Sequence, residues 1–425
     1  MNSLKESRRE MSLNLKDIFS SVTNMFLEEK TSAFLKIVEA ESGNAAQLYR
    51  RIMASPAGRV VKVLNPFNGE LREMLMFGSN NYLGLANHPY VVEQVRKTID
   101  TFGVGIGGPP MLNGYTTLHR ELEERLADLK EKQSAIVFSS GYGANVGLVT
   151  GLVNHRDFVL YDEFMHTSFC DGLKMGQIKS CNFRHNDPED LEKLLGRFSG
   201  NKSGDIFVAV EGVYSMTGEI APLDKAAELC KRYGAYLIVD DAHGTGVLGN
   251  GGRGTAHFFG VQGDVPIIMG TFSKAFGMTG GFVCSSREIV EYLRYFARSY
   301  AFSASLPPVV ISALLAGLDV MSKEPELLAR LHSNIAYAVA SLNKLSFSIT
   351  TTTAIIALPV PKEMNLRKAA REFHEQGIFI NSVEYPAVPL HQQRFRISIM
   401  ATHTKEDIDR LVETVEFVWK KFGAA

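Results

Sequence analysis

The sequence predicts an α/β fold, with a mostly parallel central sheet, helices on both faces and a smaller C-terminal α+β unit. Two observations predict it. From residue 134 onward, short uninterrupted apolar runs alternate with helical patterns, as in parallel strands that are buried on both faces. Beyond about residue 320 this alternation stops. The chain has 425 residues, 45% hydrophobic and 21% charged, as in ordinary globular enzymes.

Charge and cysteine usage exclude several classes of protein. The formal net charge of −1 gives no basic excess of the kind that nucleic-acid binding needs, so no nucleic-acid partner is expected. The four cysteines form no CxxC pair, and neither a metal site nor a disulfide framework is predicted. No apolar run approaches the ~18 residues of a membrane span, and a cytoplasmic protein is expected.

Residues 1–75 are predicted to form an N-terminal helical extension followed by a hairpin. The apolar residues at helical spacing are Leu15, Ile18, Phe19, Val22 and Phe26. An amphipathic helix of this kind packs within a dimer or lies on a membrane surface as a peripheral contact. Its polar face is mixed rather than basic, which favours the dimer. A hairpin is predicted around Asn68 and Gly69, between two loosely alternating apolar stretches.

Residues 76–320 are predicted to form the large α/β domain, and residues 321–425 the small α+β domain. Apolar runs that read as strands of the large domain cover 135–138, 158–161, 206–210, 236–239 and 267–269. Helical patterns cover 89–101, 119–130, 188–198, 223–233 and 308–321. In the small domain, strands are predicted at 354–357, 378–381 and 394–400, and helices at 366–376 and 405–421.

The turn after the last apolar run of the large domain contains Lys274. A lysine held in a cleft and stripped of water becomes nucleophilic, and it can carry a cofactor aldehyde as a Schiff base. Thr271 and Ser273, three residues and one residue before it, offer hydroxyl groups to a phosphate. In parallel sheets the ligand lies beyond the carboxyl ends of the strands, which is where this turn falls. For a lysine taken alone, a solvated turn residue is the alternative.

Other strand ends carry further candidates. Asp240 and Asp241 end a strand and point to opposite faces, so only one can face the cleft. A carboxylate there could keep a pyridine nitrogen protonated or could simply cap a helix. His166 also follows a strand, and its flat ring could stack on a cofactor or be structural.

Two more candidates are anion sites. Gly141 and Tyr142 open a helix, and its backbone N–H groups favour a phosphate, although ordinary capping uses the same pattern. Arg396 lies in an apolar strand, and a buried arginine needs an anionic partner. That partner could be a substrate carboxylate, bound by two parallel hydrogen bonds, or a structural Asp or Glu.

Taken together, these motifs resemble the α-oxoamine synthases, pyridoxal-phosphate (PLP) enzymes of the fold-type I aminotransferase class. The resemblance runs from about Met76 to Thr404. It is carried by the stretches GSNNYLGL from Gly78, NG from Asn113, EGVYSMTGEIAP from Glu211, VDDAHGTG from Val239, GTFSK from Gly270 and FSASLP from Phe302, with Asp162 and His166. Many motifs in one order and spacing make the resemblance specific, and it implies the fold-type I aminotransferase-like architecture.

The resemblance implies a role for each candidate residue. Lys274 would carry the cofactor and act as base at the substrate Cα, Asp240 would pair with the pyridinium nitrogen, and His243 with the ring hydroxyl. His166 would stack on the ring. The further cofactor contacts it implies are Gly141, Tyr142, Ser215, Thr271, Ser273 and Ser303. Asn80 and Arg396 would handle the substrate carboxylate. In this family the FSAS stretch at 302–305 comes from the other subunit, which implies a homodimer with the active site at the interface.

The implied reaction is a decarboxylating condensation of an amino acid with an acyl-CoA. The stretches PAVP at 386–389 and MATHT at 400–404 and the sequence TFSK at 271–274 are most similar to the bacterial serine palmitoyltransferase branch. We therefore expect L-serine, a long-chain acyl-CoA and the first step of sphingolipid synthesis. The alternatives are 8-amino-7-oxononanoate synthase or another α-oxoamine synthase that uses glycine or alanine, a different acyl thioester or an acyl carrier protein. The non-enzyme alternative is a cofactor-free partner subunit.

The glycine-rich loop at 103–114 bears on the acyl donor. It contains no Lys or Arg, and Pro109-Pro110 occupies the place where relatives can carry a cation. A second carboxylate on the donor would be costly to bury there without a cation. Ile106, Met111 and Leu112 instead offer an apolar surface, which favours a long apolar acyl chain.

Overall fold

The computed structural model describes residues 20, 23–40, 48–200, 204–385 and 387–423. Most of the amphipathic helix predicted from residue 15 lies outside the described residues. Of its predicted apolar face only Phe26 is described, and 89% of that side chain's surface is exposed. A helix follows directly, at Leu27–Ala40.

The strands are β1 (Ile52–Met53), β2 (Val60–Leu64), β3 (Leu71–Met76), β4 (Ser134–Phe138), β5 (Phe158–Asp162), β6 (Lys179–Phe183), β7 (Ile206–Glu211), β8 (Tyr236–Asp240), β9 (Ile267–Thr271), β10 (Gly281–Ser285), β11 (Ile355–Pro359), β12 (Ile378–Phe379), β13 (Asn381–Val383) and β14 (Arg394–Ser398). The helices are α1 (Leu27–Ala40), α2 (Pro89–Phe102), α3 (Thr117–Lys130), α4 (Gly141–Leu152), α5 (Thr167–Met175), α6 (Pro188–Phe198), α7 (Leu223–Tyr233), α8 (Thr255–Phe258), α9 (Arg287–Phe296), α10 (Arg298–Ala301), α11 (Pro308–Lys323), α12 (Glu326–Asn343), α13 (Leu366–Glu375) and α14 (Lys405–Phe422).

The central sheet has the strand order β4-β10-β9-β8-β7-β5-β6. The strands from β9 to β6 in this order run parallel, and β10 is antiparallel to both of its neighbours. Because parallel strands need a long crossover, β5, β6, β7 and β8 are each followed by a helix that returns the chain across the sheet, whereas β9 leads directly into the antiparallel β10. This confirms the predicted fold class, a mostly parallel sheet of the fold-type I aminotransferase kind.

Alternate residues of the parallel strands pack against helices on opposite faces. In β7, Phe207 and Ala209 contact the cluster that contains Leu148 of α4 and Phe169 of α5. Val208 and Val210, the intervening residues, pack with Leu191 of α6 and Leu229 of α7. Burial on both faces is why β7 is apolar along its whole length apart from its last residue, and why it could be recognised in the sequence.

Two strands of the central sheet, β6 and β10, were not predicted. β10 has the sequence GFVCS and is buried along its whole length, but its apolar run is only three residues long. β6 has the sequence KSCNF and lies at the edge of the sheet, where most of its residues are exposed or half-buried. An edge strand pairs on one side only and need not be apolar, so a search for continuous apolar runs misses it.

Two smaller sheets complete the fold. One has the order β11-β14-β13, and the other has the order β1-β2-β3-β12. β2 and β3 form the predicted hairpin, but β12 from the C-terminal part pairs in parallel with β3. The N-terminal hairpin is therefore hydrogen-bonded to the C-terminal part, and domain borders at 75 and 320 stay a prediction. None of the described helices has the length and apolarity that a bilayer crossing requires.

Candidate active site

Neighbouring strands of the central sheet end at one edge and carry the candidate chemistry there. Glu211 ends β7, Asp240 ends β8 and Thr271 ends β9. The strand pairing places Glu211 beside Asp240, and Asp240 beside the C-terminal half of β9. Lys274 follows three residues after Thr271. The carboxyl edge of the parallel strands thus brings together an acid, a hydroxyl and an amine, as expected for a ligand site in such a sheet.

Asp240 and Asp241 leave the strand on opposite faces. The buried carboxylate of Asp240 accepts a hydrogen bond of 2.8 Å from Nδ2 of Asn145. Asp241 turns the other way, where Nζ of Lys130 and Oγ1 of Thr255 donate to it at 2.8 and 2.7 Å. Asp241 therefore stabilises the fold through these hydrogen bonds, and Asp240 is the carboxylate on the cleft side.

A hydrogen-bonded chain connects Asp240 with His166. Asn145 donates from the same amide group to Oγ of Ser168 at 2.9 Å, and that hydroxyl lies 2.7 Å from Nδ1 of His166. The His166 ring remains exposed at the cleft. The surrounding protein still removes enough water to lower the pKa of His166; the charge of Asp240 opposes this shift and that of Lys274 adds to it. The hydrogen bonds through Ser168 and Asn145 thus orient the ring, and its lowered pKa favours a neutral imidazole at the cleft.

The amine of Lys274 lies among charges of both signs. Burial lowers its pKa, the carboxylates of Asp240 and Glu211 oppose that shift, and the guanidinium of Arg396 lowers the pKa further. A lowered pKa increases the fraction of neutral amine near pH 7, which is the form that attacks a carbonyl or takes up a proton. The local electrostatics therefore suit a nucleophilic lysine.

Glu211 is a buried acid beside this lysine. Its Oε2 accepts a hydrogen bond of 3.1 Å from N of Ser215, whereas its Oε1 is buried with no hydrogen-bond partner in the described structure. Burial, and after it the charge of Asp240, raise the pKa of Glu211 well above its ordinary value, against the opposing charge of Lys274. Glu211 therefore keeps its proton over a wider pH range than an ordinary glutamate.

His243 pairs with Tyr82 at the base of the site. Its Nδ1 lies 2.8 Å from the Tyr82 hydroxyl, and both side chains are buried. Burial, followed by the positive charges of Lys274 and Arg396, lowers the pKa of His243 well below its ordinary value. A neutral imidazole, held by a tyrosine hydroxyl, can hydrogen-bond a ring hydroxyl without adding a charge.

The start of α4 and the end of β9 form an anion cradle. Ser140 caps the helix by accepting a hydrogen bond of 2.9 Å from N of Gly143. A Cβ at Gly141 would lie 2.6 Å from Oγ1 of Thr271, so only glycine lets this hydroxyl approach the helix start so closely. The Ser273 hydroxyl lies 3.1 Å from that of Thr271. Helix N–H groups with two hydroxyls beside them suit a phosphate.

Arg396 is buried and points its guanidinium towards the same region. It donates to O of Ser215 at 2.6 Å, to Oδ1 of Asn80 at 3.0 Å and to Oγ of Ser398 at 3.0 Å. Within the described ranges no Asp or Glu forms an ion pair with it. Of the two partners that the sequence left open, a structural acid is therefore not found in the described part of the chain.

A cleft of about 770 Å³ opens beside these residues. His166 and Ser215 line it together with the apolar side chains of Met216 and Val388. Arg394, which was not predicted, lines it too and donates to O of Met216 at 3.3 Å. It precedes Arg396 by two residues, so both lie on the same face of β14. A second acid on the donor can therefore meet a cation in this cleft, although the glycine-rich loop carries none.

The side chains of Ser303 and Tyr142 form no hydrogen bond to these groups in the described structure. Ser303 shares a cavity with Ser139 and Tyr115, and no hydrogen bond in the described structure joins it to Lys274. The Tyr142 side chain is half exposed and donates to Asp171 at 2.8 Å, so only its backbone is available at the helix start. Their cofactor roles stay predictions.

The residues fit PLP group by group. Its phosphate matches the cradle at Gly141 and Thr271, its pyridine nitrogen matches Asp240, and its aldehyde matches the Lys274 amine. Oε1 of Glu211 is buried without a partner among the described groups, and a polar group of a bound ligand would satisfy it.

Sequence reasoning missed Glu211, Tyr82, Asn145 and Arg394. For Glu211 and Arg394 a signal was present, since one ends an apolar run just as Asp240 does and the other is two positions from Arg396 in a strand. Tyr82 and Asn145 lie in motifs that were recognised, but only the tertiary packing brings them to His243 and Asp240.

Comparison with known proteins identifies the family. The model of the family "Aminotransferase class I and II" matches residues 72–415. The chain is 36% identical to 8-amino-7-oxononanoate synthase of Lysinibacillus sphaericus over 92% of this chain and 97% of that protein. It is 38% identical to serine palmitoyltransferase of Bacteriovorax stolpii over 80% of this chain and 81% of that protein.

A third relative is longer. The chain is 38% identical to 4-hydroxy-2,2'-bipyrrole-5-methanol synthase PigH of Serratia sp. over 85% of its own length, but spans only 55% of that protein. Among solved structures, serine palmitoyltransferase of Sphingomonas wittichii superposes with a TM-score of 0.84 and 31% identity, covering 92% of this chain and 96% of that one. The chain therefore belongs to the class I and II aminotransferase family, within its α-oxoamine synthase branch, and is a PLP-dependent acyltransferase.

Proposed function

We propose that the chain condenses L-serine with a long-chain acyl-CoA, as serine palmitoyltransferase does at the start of sphingolipid synthesis. The serine Cα forms a bond to the acyl carbonyl carbon while its carboxylate leaves as CO2 and the thiol of CoA is released. One proton is consumed, and the product is a 3-keto amino alcohol. Relatives named for other reactions of the same branch are equally similar, so the identity of the two substrates is the part proposed.

The buried guanidinium of Arg396 is the observation that carries this proposal. It lies within the electrostatic reach of Lys274, and the described part of the chain supplies only neutral oxygens to it. A charged group that is buried without an acid partner is costly unless an anion arrives with the ligand. The α-carboxylate of an amino acid is that anion, because Arg396 then places the Cα beside the Lys274 amine.

The residues around the site divide the work. PLP, when bound, supplies an electron sink for the carbanion that forms at the substrate Cα. Lys274 removes and returns the proton at that carbon, and Asp240 keeps the proton on the pyridine nitrogen. His166 covers the site from the cleft side, and Arg396 orients the carboxylate that leaves.

The surface around the glycine-rich loop supports a long apolar donor. Leu112 is 81% exposed and Phe302 is 80% exposed, and Val104 and Met111 are also exposed. N of Ser305 donates to O of Gly108 at 3.1 Å, which attaches the loop to the segment 302–305. Each acyl methylene buried against such a surface contributes about 0.8 kcal/mol, so a long chain can dominate binding.

Arg394 favours a second candidate, a donor with a terminal carboxylate, as for an 8-amino-7-oxononanoate synthase. It lies in the cleft roughly 7 Å along β14 from Arg396, the repeat of two strand residues. Glu219, the acid whose charge acts on it, is already bonded to His185, and no ion pair of Arg394 occurs in the residues that the structure covers. A carboxylate on the acyl chain could therefore be paired there.

An activity assay with the purified enzyme tests both candidates. Each of L-serine, glycine and L-alanine is combined with each acyl-CoA from acetyl to palmitoyl and with pimeloyl-CoA. Thiol and CO2 release are measured together. We expect kcat/KM to rise with acyl length and L-serine to give product. Pimeloyl-CoA exceeding every long saturated chain, with that preference lost in Arg394→Gln, would establish the second candidate instead.

We further propose a homodimer with the active site at the subunit interface. Phe302 is exposed beside Ser303, and Ser303 forms no hydrogen bond to Lys274 in the described structure, as expected if the segment 302–305 serves a neighbouring copy. Light scattering should give twice the mass of the chain. Mixing Lys274→Ala with Ser303→Trp subunits should restore part of the activity, because one of the two sites in a mixed dimer is then intact.

Contact with a membrane surface is proposed as a peripheral one. Phe26 and Leu27 are exposed at the start of α1, and Phe34 and Leu35 are exposed further along it. Flotation with phosphatidylglycerol vesicles should carry the wild-type chain upward and leave a Phe26→Ser, Phe34→Ser variant behind. If the wild-type chain does not float with the vesicles, the proposal of membrane contact is wrong.

A further inference from the structure

His185 lies outside the site described above but joins two segments that shape it. It follows β6; its Nδ1 is 2.9 Å from Oδ1 of Asp162, and its Nε2 is 3.1 Å from Oε2 of Glu219. Asp162 ends β5, whereas Glu219 belongs to the segment 212–222, which follows β7. An imidazole with a carboxylate on each nitrogen can donate to both only when it carries both protons.

The ring is fixed on its remaining sides. Phe164 stacks on it with ring centroids 4.2 Å apart, and Tyr214 meets it edge-on at 4.4 Å. The backbone N of His185 donates to Oε1 of Glu163 at 2.9 Å. The charged groups around the ring are thus the acids Asp162, Glu163 and Glu219, with Arg394 interacting with Glu219 from β14. Arg394 interacts with Glu219 alone, whereas the imidazolium of His185 contacts both Asp162 and Glu219.

The segment 212–222 holds both cleft arginines. O of Ser215 accepts from Nε of Arg396 at 2.6 Å, and O of Met216 accepts from Arg394 at 3.3 Å. The same segment is held from the small domain, where O of Gly218 accepts from the Thr353 hydroxyl at 2.9 Å. A shift of the segment would therefore turn the guanidinium of Arg396.

We infer that His185 is a positioning residue: its bridge between Asp162 and Glu219 fixes the segment 212–222 so that Arg396 faces the carboxylate of the amino acid substrate. The inference rests on the proposed role of Arg396. It predicts that affinity for the amino acid, and not for the acyl donor, depends on the charge of His185.

The sign of the pH dependence follows from the geometry. Burial alone lowers the pKa of His185, but the hydrogen bonds and charges of Asp162 and Glu219 outweigh it, and the pKa is raised above its ordinary value. For Asp162, burial raises the pKa, but the hydrogen bonds from His185 and from backbone N–H groups outweigh this, and the pKa is lowered. The charged bridge is therefore complete at lower pH and is lost as pH rises through the raised pKa of His185.

The test compares holoenzyme variants. His185→Gln keeps a neutral donor, and Glu219→Gln changes a side chain that is half exposed and keeps its size. His155→Gln is the matched control, since His155 is exposed and has no hydrogen bond in the described structure. For each protein, KM values of both substrates are measured from pH 6 to 9. Binding of the amino acid alone is followed by the absorbance of the cofactor.

We expect both variants to weaken amino acid binding about fivefold or more at the low end of this range and to leave the KM of the acyl donor unchanged. The wild type should lose affinity relative to the variants as pH rises, and His155→Gln should follow the wild type. If His185→Gln does not fold, Glu219→Gln carries the test.

Unchanged amino acid binding in Glu219→Gln, or a wild-type pH profile parallel to that of the variants, would overturn the inference. A lower unfolding temperature with both KM values unaltered would do so as well, because it indicates a structural role only. The binding titration uses whichever of the three amino acids changes the spectrum, so failure of the serine or acyl-chain proposal leaves this test intact.

Discussion

Lys130 and Asp241 form an ion pair that is buried on both sides. Nζ of Lys130 lies 2.8 Å from Oδ2 of Asp241, and the two side chains are 0% and 2% exposed. Lys130 also donates to the Thr245 hydroxyl at 2.7 Å and to O of Arg253 at 2.7 Å. Every proton of the ammonium group is thus hydrogen-bonded, which offsets the cost of burying it.

Replacing Asp241 by Asn should destabilise the fold, since it leaves the Lys130 charge buried without its counter-ion. We expect the free energy of unfolding to fall by about 3–5 kcal/mol. Urea unfolding measures it, and Lys130→Met with Asp241→Leu should recover much of the loss. Asp240→Asn should instead leave stability close to that of the wild type and reduce turnover about 10²–10³-fold. The opposite pattern would mean that the two strand faces have been assigned the wrong way round.

Lys274→Ala should abolish turnover, because the same amine attaches the cofactor and moves the Cα proton. Borohydride reduction of the wild-type enzyme, followed by digestion and mass spectrometry, should locate the added cofactor mass on Lys274. Burial lowers the pKa of this amine and so favours its neutral, nucleophilic form. An adduct on Lys130 or on a surface lysine would contradict the assignment.

Arg396→Lys should raise the KM for the amino acid by about 10–100-fold, because an ammonium group cannot replace the two parallel hydrogen bonds of a guanidinium. The KM for the acyl-CoA should change little. The hydrogen bonds to Ser215 and Asn80 now orient Arg396, so Asn80→Ala should give a smaller effect of the same kind. A change confined to the acyl donor would assign Arg396 to the other substrate.

Acid should destabilise the fold through buried neutral histidines. Burial lowers the pKa of His403 to about 4, and its Nδ1 accepts from N of Met400 at 3.1 Å while its Nε2 donates to O of Met76 at 3.0 Å. The unfolded chain binds this proton near pH 6.5 and the folded chain only near 4, so stability present above 6.5 is lost as pH falls between the two.

At pH 5 this amounts to about 1–2 kcal/mol for such a histidine. Urea unfolding at pH 7.5 and at pH 5 measures the difference. His403→Gln should reduce it, since the amide can still accept and donate without titrating, and the exposed His155→Gln should leave it as in the wild type. An identical pH dependence in His403→Gln would mean that other groups cause the acid effect.

The parts of the fold that could be predicted are those in which burial dictates composition. β7 and β8 are buried along most of their length and are recognisable as apolar runs, whereas the polar edge strand β6 is not. The strand-end rule similarly located Asp240 and Lys274, because both follow such runs directly.

The rest of the site depends on contacts between distant segments. Tyr82 and His243 are 161 residues apart in the chain, and their hydrogen bond follows from how distant segments of the chain pack together. Tertiary structure also decides that Oε1 of Glu211 has no partner among the described groups and that Arg394 lines the cleft. A single sequence predicts which face of a strand a residue occupies, but not what will be opposite it.

The pairing of β3 with β12 has a consequence for synthesis on the ribosome. Leu75 and Met76 pair with Ile378 and Phe379. The edge of the hairpin therefore stays unpaired until about 300 further residues have been synthesised, which takes roughly 15–60 s at ordinary elongation rates. During that time its backbone groups are open to pairing with other chains. Slower translation in the second half of the message should therefore increase aggregation of the nascent protein, and chaperones that bind nascent chains should matter more for its yield than for a fold whose first strands pair locally.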